Sequence, residues 1–562
     1  MRIKGLLQLI TLSLILLSCA KKGMPPGGPQ DKTPPQVIST LPAVDSTRVS
    51  PDVRIEITFS ERMEKKKTEE SIFISPLPEI PWKLSWHKNG LSLKPPFPLK
   101  LRTTYVITVG TGARDLRGNR IKESYSFAFS TGEFIDSCQI SGEAQIDEKK
   151  EAGISIWAYL LEDKAETNLF KDKPTYVTQT DFEGKYILKN LISGNYRLFA
   201  VKDINRDLVW DIEEEPIGVT TQDVKVDSMI FSIRNINFIL ASRDTTPPSI
   251  LNCQTLDRNK IRLDFDESLD KRTMQNTSNY LIRSQEALEK TLKVVLAYYQ
   301  GVNTKSVFLV ISEMEPDVKY KLSVSDLQDE SGNEIDSAFN SCLLSGTDLP
   351  DTIKLKILDT QPEDKAINVA LDAHTKIFFS EPPEKNAVES NFILKDESEK
   401  LIKGEVFWES DVIFIFRPDS LLSSSTNYRL QLKDIFDLSN NSLSDSLFEI
   451  SFTTLNKDTL GSVSGEVKIL REEKGNIVVI LNKIDSNEIR YEKILEEPGR
   501  FLFEMVLPGK YLAKAFIDKN KNKKHETGEV FPYTPAEPHT VFPDTIPVRS
   551  RWETEKVVII LE

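Results

Sequence analysis

Three stretches in fixed order decide the reading of this chain: Ile57-Thr58-Phe59-Ser60-Glu61, then Thr104-Tyr105-Val106-Ile107-Thr108-Val109, then Asp115-Leu116-Arg117-Gly118-Asn119. The same order returns as Leu263-Asp264-Phe265-Asp266-Glu267, Lys319-Tyr320-Lys321-Leu322-Ser323-Val324 and Asp329-Glu330-Ser331-Gly332-Asn333. It returns again as Ile377-Phe378-Phe379-Ser380-Glu381, Asn427-Tyr428-Arg429-Leu430-Gln431-Leu432 and Asp437-Leu438-Ser439-Asn440-Asn441. The first two stretches of each set alternate apolar and polar residues and are rich in β-branched and aromatic side chains, which predicts half-buried strands. The third is a turn, because Gly and Asn tolerate positive φ and Asp caps the local backbone. Each set spans about a hundred residues, the size of a two-sheet sandwich.

A second kind of unit occurs twice. Ile140-Ser141-Gly142-Glu143-Ala144 matches Val463-Ser464-Gly465-Glu466-Val467, and Gly194-Asn195-Tyr196-Arg197-Leu198 matches Gly509-Lys510-Tyr511-Leu512-Ala513. Between them the first copy has Asp181-Phe182-Glu183-Gly184-Lys185-Tyr186, and the second departs at the Asp position with Pro498-Gly499-Arg500-Phe501. The chain therefore reads as all-β, a tandem array of five sandwiches with little helix.

On these residues the first kind of unit resembles the SbsA-type bacterial Ig-like domain, over 33–132, 351–455 and, in divergent form, 245–347. In the divergent copy Asp266 replaces the serine and the threonine before Tyr320 is lost. The resemblance implies a core Phe and no catalytic role, so Glu61, Glu267 and Glu381 are expected to be solvated or capping carboxylates. The second kind resembles the Cna B-type, prealbumin-like or carboxypeptidase-regulatory-like sandwich, over 136–241 and 460–562. Linkers with Pro and Asp-Thr pairs separate the units at 244–248, 348–352 and 456–460.

The N-terminus has Arg2 and Lys4, an apolar run from Leu6 to Leu17, and Leu16-Leu17-Ser18-Cys19. The run is too short for a mature transmembrane helix. It resembles a bacterial lipoprotein signal, of the kind found in Bacteroidota envelope proteins. The resemblance implies that residues 1–18 are removed, that Cys19 is lipidated, and that 19–32 is a flexible tether to a membrane. Ala20-Lys21-Lys22 is basic rather than acidic and no Asp follows Cys19. The basic flank favours the periplasmic face over the cell surface, and the missing Asp favours the outer membrane over the inner membrane.

Composition narrows the function. Apolar residues are 39% and charged residues 28%, enough to build cores. The net charge of −13 with no basic stripe argues against nucleic acid as a partner. The four histidines are scattered, and no nucleophile elbow, metalloprotease helix or phosphate loop is present. No CxxC pair exists. Cys253 and Cys342 lie near the ends of one unit, where an envelope compartment permits a disulfide. Cys138 has no evident partner.

Two loops of the second kind of unit carry candidate ligands. Asp203, Asn205, Asp207, Asp211 and Glu214 in one, and Asp518, Asn520, Asn522, Glu526 and Glu529 in the other, follow the spacing of oxygen ligands to calcium. The glycine usual at position 6 is replaced by Leu208 and Lys523. Trp210 sits inside the first acidic loop and is the candidate aromatic for glycan contact, whereas Trp157 and Trp408 read as core. The function expected is a non-enzymatic, lipid-anchored envelope protein, a structural or protein-interaction array with other envelope proteins as partners. The alternative is a carbohydrate-binding or adhesive surface lipoprotein.

Overall fold

A computed structural model describes residues 31–146, 149–161, 167–287, 289–470, 473–486 and 489–561. The signal segment, Cys19 and the tether up to Gln30 lie outside the described residues. The chain forms two compact units, chiefly the residues up to Ala241 and those from Ser242 onward. Both are built of mainly antiparallel sheets, with parallel pairs such as Cys138–Ile146 with Phe238–Leu240 and Gly461–Ile469 with Glu553–Leu561, and with short helices such as Lys65–Glu69, Lys271–Met274 and Lys385–Asn391.

The last Ig-like repeat shows the plan. One sheet orders Ile357–Gln361, Thr375–Phe379, Ile413–Pro418 and Gly404–Ser410. The other orders Ala366–Val369, Leu447–Thr454, Asn427–Lys433 and Ile393–Asp396. The repeats at 33–132 and 245–347 keep the same central strands. In Ile55–Phe59 the residues alternate buried and exposed, so Ile55, Ile57 and Phe59 enter the core while Glu56 and Thr58 face out. Ile261, Leu263 and Phe265 repeat the pattern.

The repeated motif residues hold the sandwich at its ends. Ser60 Oγ accepts a hydrogen bond from the Gln36 amide at 3.0 Å, and Ser380 Oγ accepts one from the Lys356 amide at 3.0 Å. In the divergent repeat Asp266 Oδ1 accepts from the Ser249 amide at 2.8 Å, so the replacement keeps the contact. The tyrosines form corners. The hydroxyls of Tyr105, Tyr320 and Tyr428 accept from the amides of Lys100, Glu315 and Ser423, each five residues upstream.

In the second kind of sandwich, Gly194–Val201 pairs with Ser155–Leu160 on one side and with Ile217–Val219 and Val224–Val226 on the other. Gly509–Asp518 pairs likewise with Asn476–Lys483, His539–Val541 and Ile546–Val548. Gly142 and Gly465 mark a close backbone approach in the facing sheets. A Cβ there would lie 2.0 Å from Ile236 O and 2.1 Å from Val557 O.

The cores join unequally. In the first unit there are two clusters, one around Phe59, Ile107 and Phe129, and one around Ile140, Tyr196 and Phe238 that also takes in Val106 and Ala128 of the Ig-like repeat. In the second unit the repeats at 245–347 and 351–455 share one apolar cluster running from Ile261 to Phe452. The linker at 348–352 runs between two repeats whose cores are continuous. Residues 348–350 and 352 are exposed, and the Asp351 side chain between them is buried.

Candidate functional site

The turn Asp115-x-x-Gly118-Asn119 folds because one carboxylate satisfies several donors. Asp115 Oδ1 accepts from the amides of Arg117 at 2.7 Å and Asn119 at 2.9 Å, and Oδ2 accepts from Asn119 Nδ2 at 2.7 Å. Gly118 takes φ +92°, which a side chain would resist. Asn119 Nδ2 also donates to the backbone oxygen of Asp31 at 3.2 Å, which draws the segment before the domain onto the turn.

The same device recurs. Asn333 Nδ2 donates to Asp329 Oδ2 at 2.8 Å and to Asp244 O at 3.1 Å. Asn441 Nδ2 donates to Asp437 Oδ2 at 3.0 Å and to Asp351 O at 3.4 Å. Each entry segment thus brings its aspartate beside the turn aspartate and the glutamate of the Phe-x-Glu strand end. Among the described residues three carboxylate triads result: Asp31, Glu61 and Asp115; Asp244, Glu267 and Asp329; Asp351, Glu381 and Asp437. The ligand oxygens of each triad lie within 4.8 Å of one another.

These triads correct the expectation for the three glutamates. Glu381 is buried at 6% exposure, and Glu61 and Glu267 are half-buried. Burial, followed by the charges of Asp329, Asp244 and Asp266, pushes the Glu267 carboxyl up to about 7. Burial and then Asp115 and Asp31 raise Glu61 as well. Burial pushes Asp115 up too, but hydrogen bonds from Asn119, Arg117 and Gly118 outweigh it and hold that group below the usual carboxylate range. Glu267 Oε1 is closed off from solvent and no described donor reaches it.

The third triad is filled by a cation of the chain itself. Lys260 projects from the first position of strand Lys260–Phe265 in the preceding repeat. Its Nζ donates to Asp351 Oδ2 at 2.7 Å and to Glu381 Oε2, with Asp257 Oδ2 at 3.9 Å. The Lys260, Asp351 and Glu381 side chains are exposed by 10%, 4% and 8%. Burial presses the Lys260 ammonium down, but pairing with Asp351 and Glu381 outweighs it and raises it above the usual lysine value. Gln300 Nε2 of the same repeat donates to Ser380 O at 2.6 Å, next to Glu381.

The Asp-rich loops use their oxygens differently. Asp203 Oδ1 accepts from the Arg206 amide, Asn205 Oδ1 from the Asp207 amide and Asp207 Oδ1 from the Val209 amide. In the second loop Asp518 accepts from the Asn522 and Lys523 amides, Asn520 from the Asn522 amide and Asn522 from the Lys524 amide. Leu208 and Lys523 take φ +61° and +63°, so position 6 is left-handed without glycine. Asp211, Glu214, Glu526 and Glu529 are exposed. Glu526 accepts from the side-chain amides of Asn520 and Asn522.

Two residues that the sequence reading did not single out organise these loops. Glu215 accepts from the Ile204 and Asp211 amides, and Glu537 accepts from the Lys519 and Glu526 amides. Both glutamates are nearly fully buried. Burial, followed by Glu215, pushes Asp203 up to about 6. The only signal for Glu215 and Glu537 was their position after each loop, where the spacing of the calcium pattern favoured Glu214 and Glu529 instead.

The expectation for Trp210 is overturned. It is 4% exposed, its Nε1 donates to Glu215 O at 2.9 Å, and its ring packs on Phe170 at 5.4 Å between centroids. The acidic residues around it turn outward while the indole, the largest apolar group in the loop, folds under them. Trp157 is buried in the core. Cys253 and Cys342 are joined by a disulfide that ties strand Ile250–Asp257 of one sheet to Ser341–Ser345 of the other. Cys138 is a buried free thiol.

Residues 31–131 and 351–454 match the family described as Bacterial Ig-like domain. No curated protein matches this chain. Among solved structures the chain is similar to the N-terminal part of the bacterial S-layer protein SbsC, at 12% identity over 37% of this chain and 44% of that one, with a TM-score of 0.17. It is similar to L,D-transpeptidase 1 of Mycobacterium tuberculosis, at 14% identity over 20% and 43% of the two chains and a TM-score of 0.13. It is also similar to domains A168–A170 of titin, at 10% identity over 49% and 93% and a TM-score of 0.16. The chain thus spans less than half the length of the first two.

Proposed function

With bacterial Ig-like domains at 31–131 and 351–454 as the premise, we propose that the chain is a non-enzymatic, lipid-anchored envelope protein whose sandwiches form a structural or protein-interaction array. The observation that carries this reading is the single core shared by the repeats at 245–347 and 351–455. Modules fused in this way hold their loops in fixed register, which suits a scaffold that presents surfaces to other envelope proteins. The anchor at Cys19 and the outer-membrane, periplasmic placement rest on the signal-like N-terminus and its basic flank.

The test is protease treatment of intact cells, read with an antibody against the last sandwich. Protection in intact cells, with digestion after the outer membrane is permeabilised, is the expected result. Digestion in intact cells moves the array to the surface and favours an adhesive role. Recovery of the chain in the cytoplasmic fraction alone overturns the reading.

A further inference from the structure

Like charges directly opposite each other on neighbouring strands repel, so such a pair is stable only beside a counter-charge. Arg283 of strand Tyr280–Ser284 stands in register with Lys321 of strand Lys319–Val324. In the next repeat Tyr428 takes the place of the corner residue Tyr320, and the same register sets Lys395 opposite Arg429. There one carboxylate bridges the two cations. Glu399 Oε2 lies 3.0 Å from Lys395 Nζ and its Oε1 lies 3.4 Å from Arg429 Nη1. Glu449 Oε1 adds a contact of 3.6 Å to Arg429 Nε. The 245–347 repeat has neither acid in place. Ser341 occupies the register position of Glu449. The hairpin that carries Glu399 closes with the Asp396 amide donating to Lys400 O, whereas its counterpart closes with the Ser284 amide donating to Lys290 O and is two residues longer. Its acids Glu286 and Glu289 are exposed and pair with neither cation, and Glu315 is taken by Lys290. Among the described residues no carboxylate pairs with Arg283 or Lys321, and both are exposed. A recess of about 530 Å³ lies over them, lined by Leu281, Arg283, Ser284, Gln285, Lys321 and Ser323.

We propose that Arg283 and Lys321 form a docking site for an acidic segment of a partner protein, whose carboxylate takes the place that Glu399 fills in the next repeat. The guanidinium offers a fork that fits a carboxylate, and the ammonium beside it adds a second charge. The Ser323 hydroxyl and the Gln285 side-chain amide supply further donors in the recess wall. Lys319, two residues before Lys321, adds a third cation on the same face, with its Nζ donating to Ser345 Oγ at 2.5 Å. Leu281 and Leu343 lie on that face as well and are 41% and 62% exposed. The surface therefore mixes positive charge with leucine, and its complement is a segment that mixes acidic and apolar residues. An inorganic anion would use the charges alone. This site deepens the protein-interaction reading above and rests on it for the nature of the partner. Its binding is measured on the purified chain, so it stands or falls apart from the placement of the array in cells.

The test is fluorescence anisotropy of a labelled peptide, Gly-Ser-Glu-Leu-Glu-Leu-Ser-Gly, titrated with the full chain at about 50 mM salt, where charges are weakly screened. The expected dissociation constant is about 10⁻⁴ M, the scale that a few charge-assisted hydrogen bonds supply. The same peptide with glutamine for glutamate is expected not to bind. Arg283→Gln/Lys321→Gln is expected to weaken binding at least about tenfold, with an unchanged circular dichroism spectrum because both side chains are exposed. Lys395→Gln/Arg429→Gln changes the pair that already holds Glu399 and is expected to leave binding within about twofold of the wild type. Equal binding by the wild type and by Arg283→Gln/Lys321→Gln places the peptide elsewhere and overturns the proposal. So does a wild-type chain that shows no binding at about 10⁻³ M. Sodium phosphate that displaces the peptide as readily as unlabelled peptide does would make this a site for small anions. Polygalacturonate that displaces it more readily would make the ligand an acidic glycan. Either result overturns the protein partner.

Discussion

The Lys260 ammonium donates to Asp351 Oδ2 at 2.7 Å, and the two residues come from different sandwiches. With Glu381 they form a buried cluster in which one positive charge faces several carboxylates. Removing one member of such a cluster leaves the others buried and uncompensated.

Lys260→Ala is expected to destabilise the second unit by about 3–5 kcal/mol. Adding Glu381→Gln should return part of that loss, because it removes one of the stranded charges. Calcium should also stabilise Lys260→Ala more than the wild type, since an ion can take the place of the ammonium. Chemical denaturation of the full chain with and without calcium reads all three. A Lys260→Ala chain as stable as the wild type removes the argument.

The Cys253–Cys342 disulfide closes a segment with a sequence separation of 89. A loop of that size restricts the unfolded chain, so reduction is expected to cost about 2–5 kcal/mol. The Cys253→Ser/Cys342→Ser chain should melt like the reduced wild type and should ignore reductant. Equal melting of oxidised and reduced wild type contradicts this.

Acid should weaken the last sandwich through two histidines. Burial and the neighbouring His525 lower His539 to about 3, and burial lowers His525 as well, with Lys514 opposing the charge of both. Their rings lie 4.8 Å apart between centroids. Both are neutral in the fold, whereas the unfolded chain takes up protons near the ordinary histidine value of about 6.5. Their contribution is therefore complete above that value and is lost as the pH falls from about 6.5 towards about 3. His539→Gln should flatten the dependence of the melting point over this window. An unchanged slope would show that the carboxylates, not the histidines, set it.

Trp210→Ala is expected to destabilise the first unit by about 3–5 kcal/mol, the cost of emptying a buried aromatic site. It should not act through a sugar surface, because the indole is covered and its Nε1 is bonded to Glu215 O. Melting of the variant checks the first point. A polysaccharide that binds the wild type and protects Trp210 from chemical oxidation would contradict the second.

The repeats were legible because local chemistry wrote them. Phe59, Tyr105 and Asp115 sit at positions where core, corner and turn each accept few residue types, and the same holds at Phe379, Tyr428 and Asp437. The triads were not legible, because their members are far apart in sequence. Asp351, Glu381 and Asp437 look in isolation like a linker residue, a strand-end glutamate and a turn residue. Only the fold, through the Asn441 bridge to Asp351 O, brings the first beside the others. Lys260 looks like any strand-end lysine until the neighbouring sandwich covers it. Trp210 misled for the opposite reason: its acidic surroundings predicted exposure, but in a short loop polar neighbours can face water while the one large apolar ring turns inward.

The Lys260 contact also bears on how such arrays can be rearranged. Tandem modules are often treated as interchangeable beads, free to be duplicated, reordered or grafted. Here the repeat furthest from the family pattern carries the residue that neutralises its successor. Transplanting the 351–455 repeat behind a module without a matching lysine would leave Asp351 and Glu381 facing each other without a partner. The order of these two domains is thus written in charge, and a recombinant shuffle that breaks it would carry its own penalty.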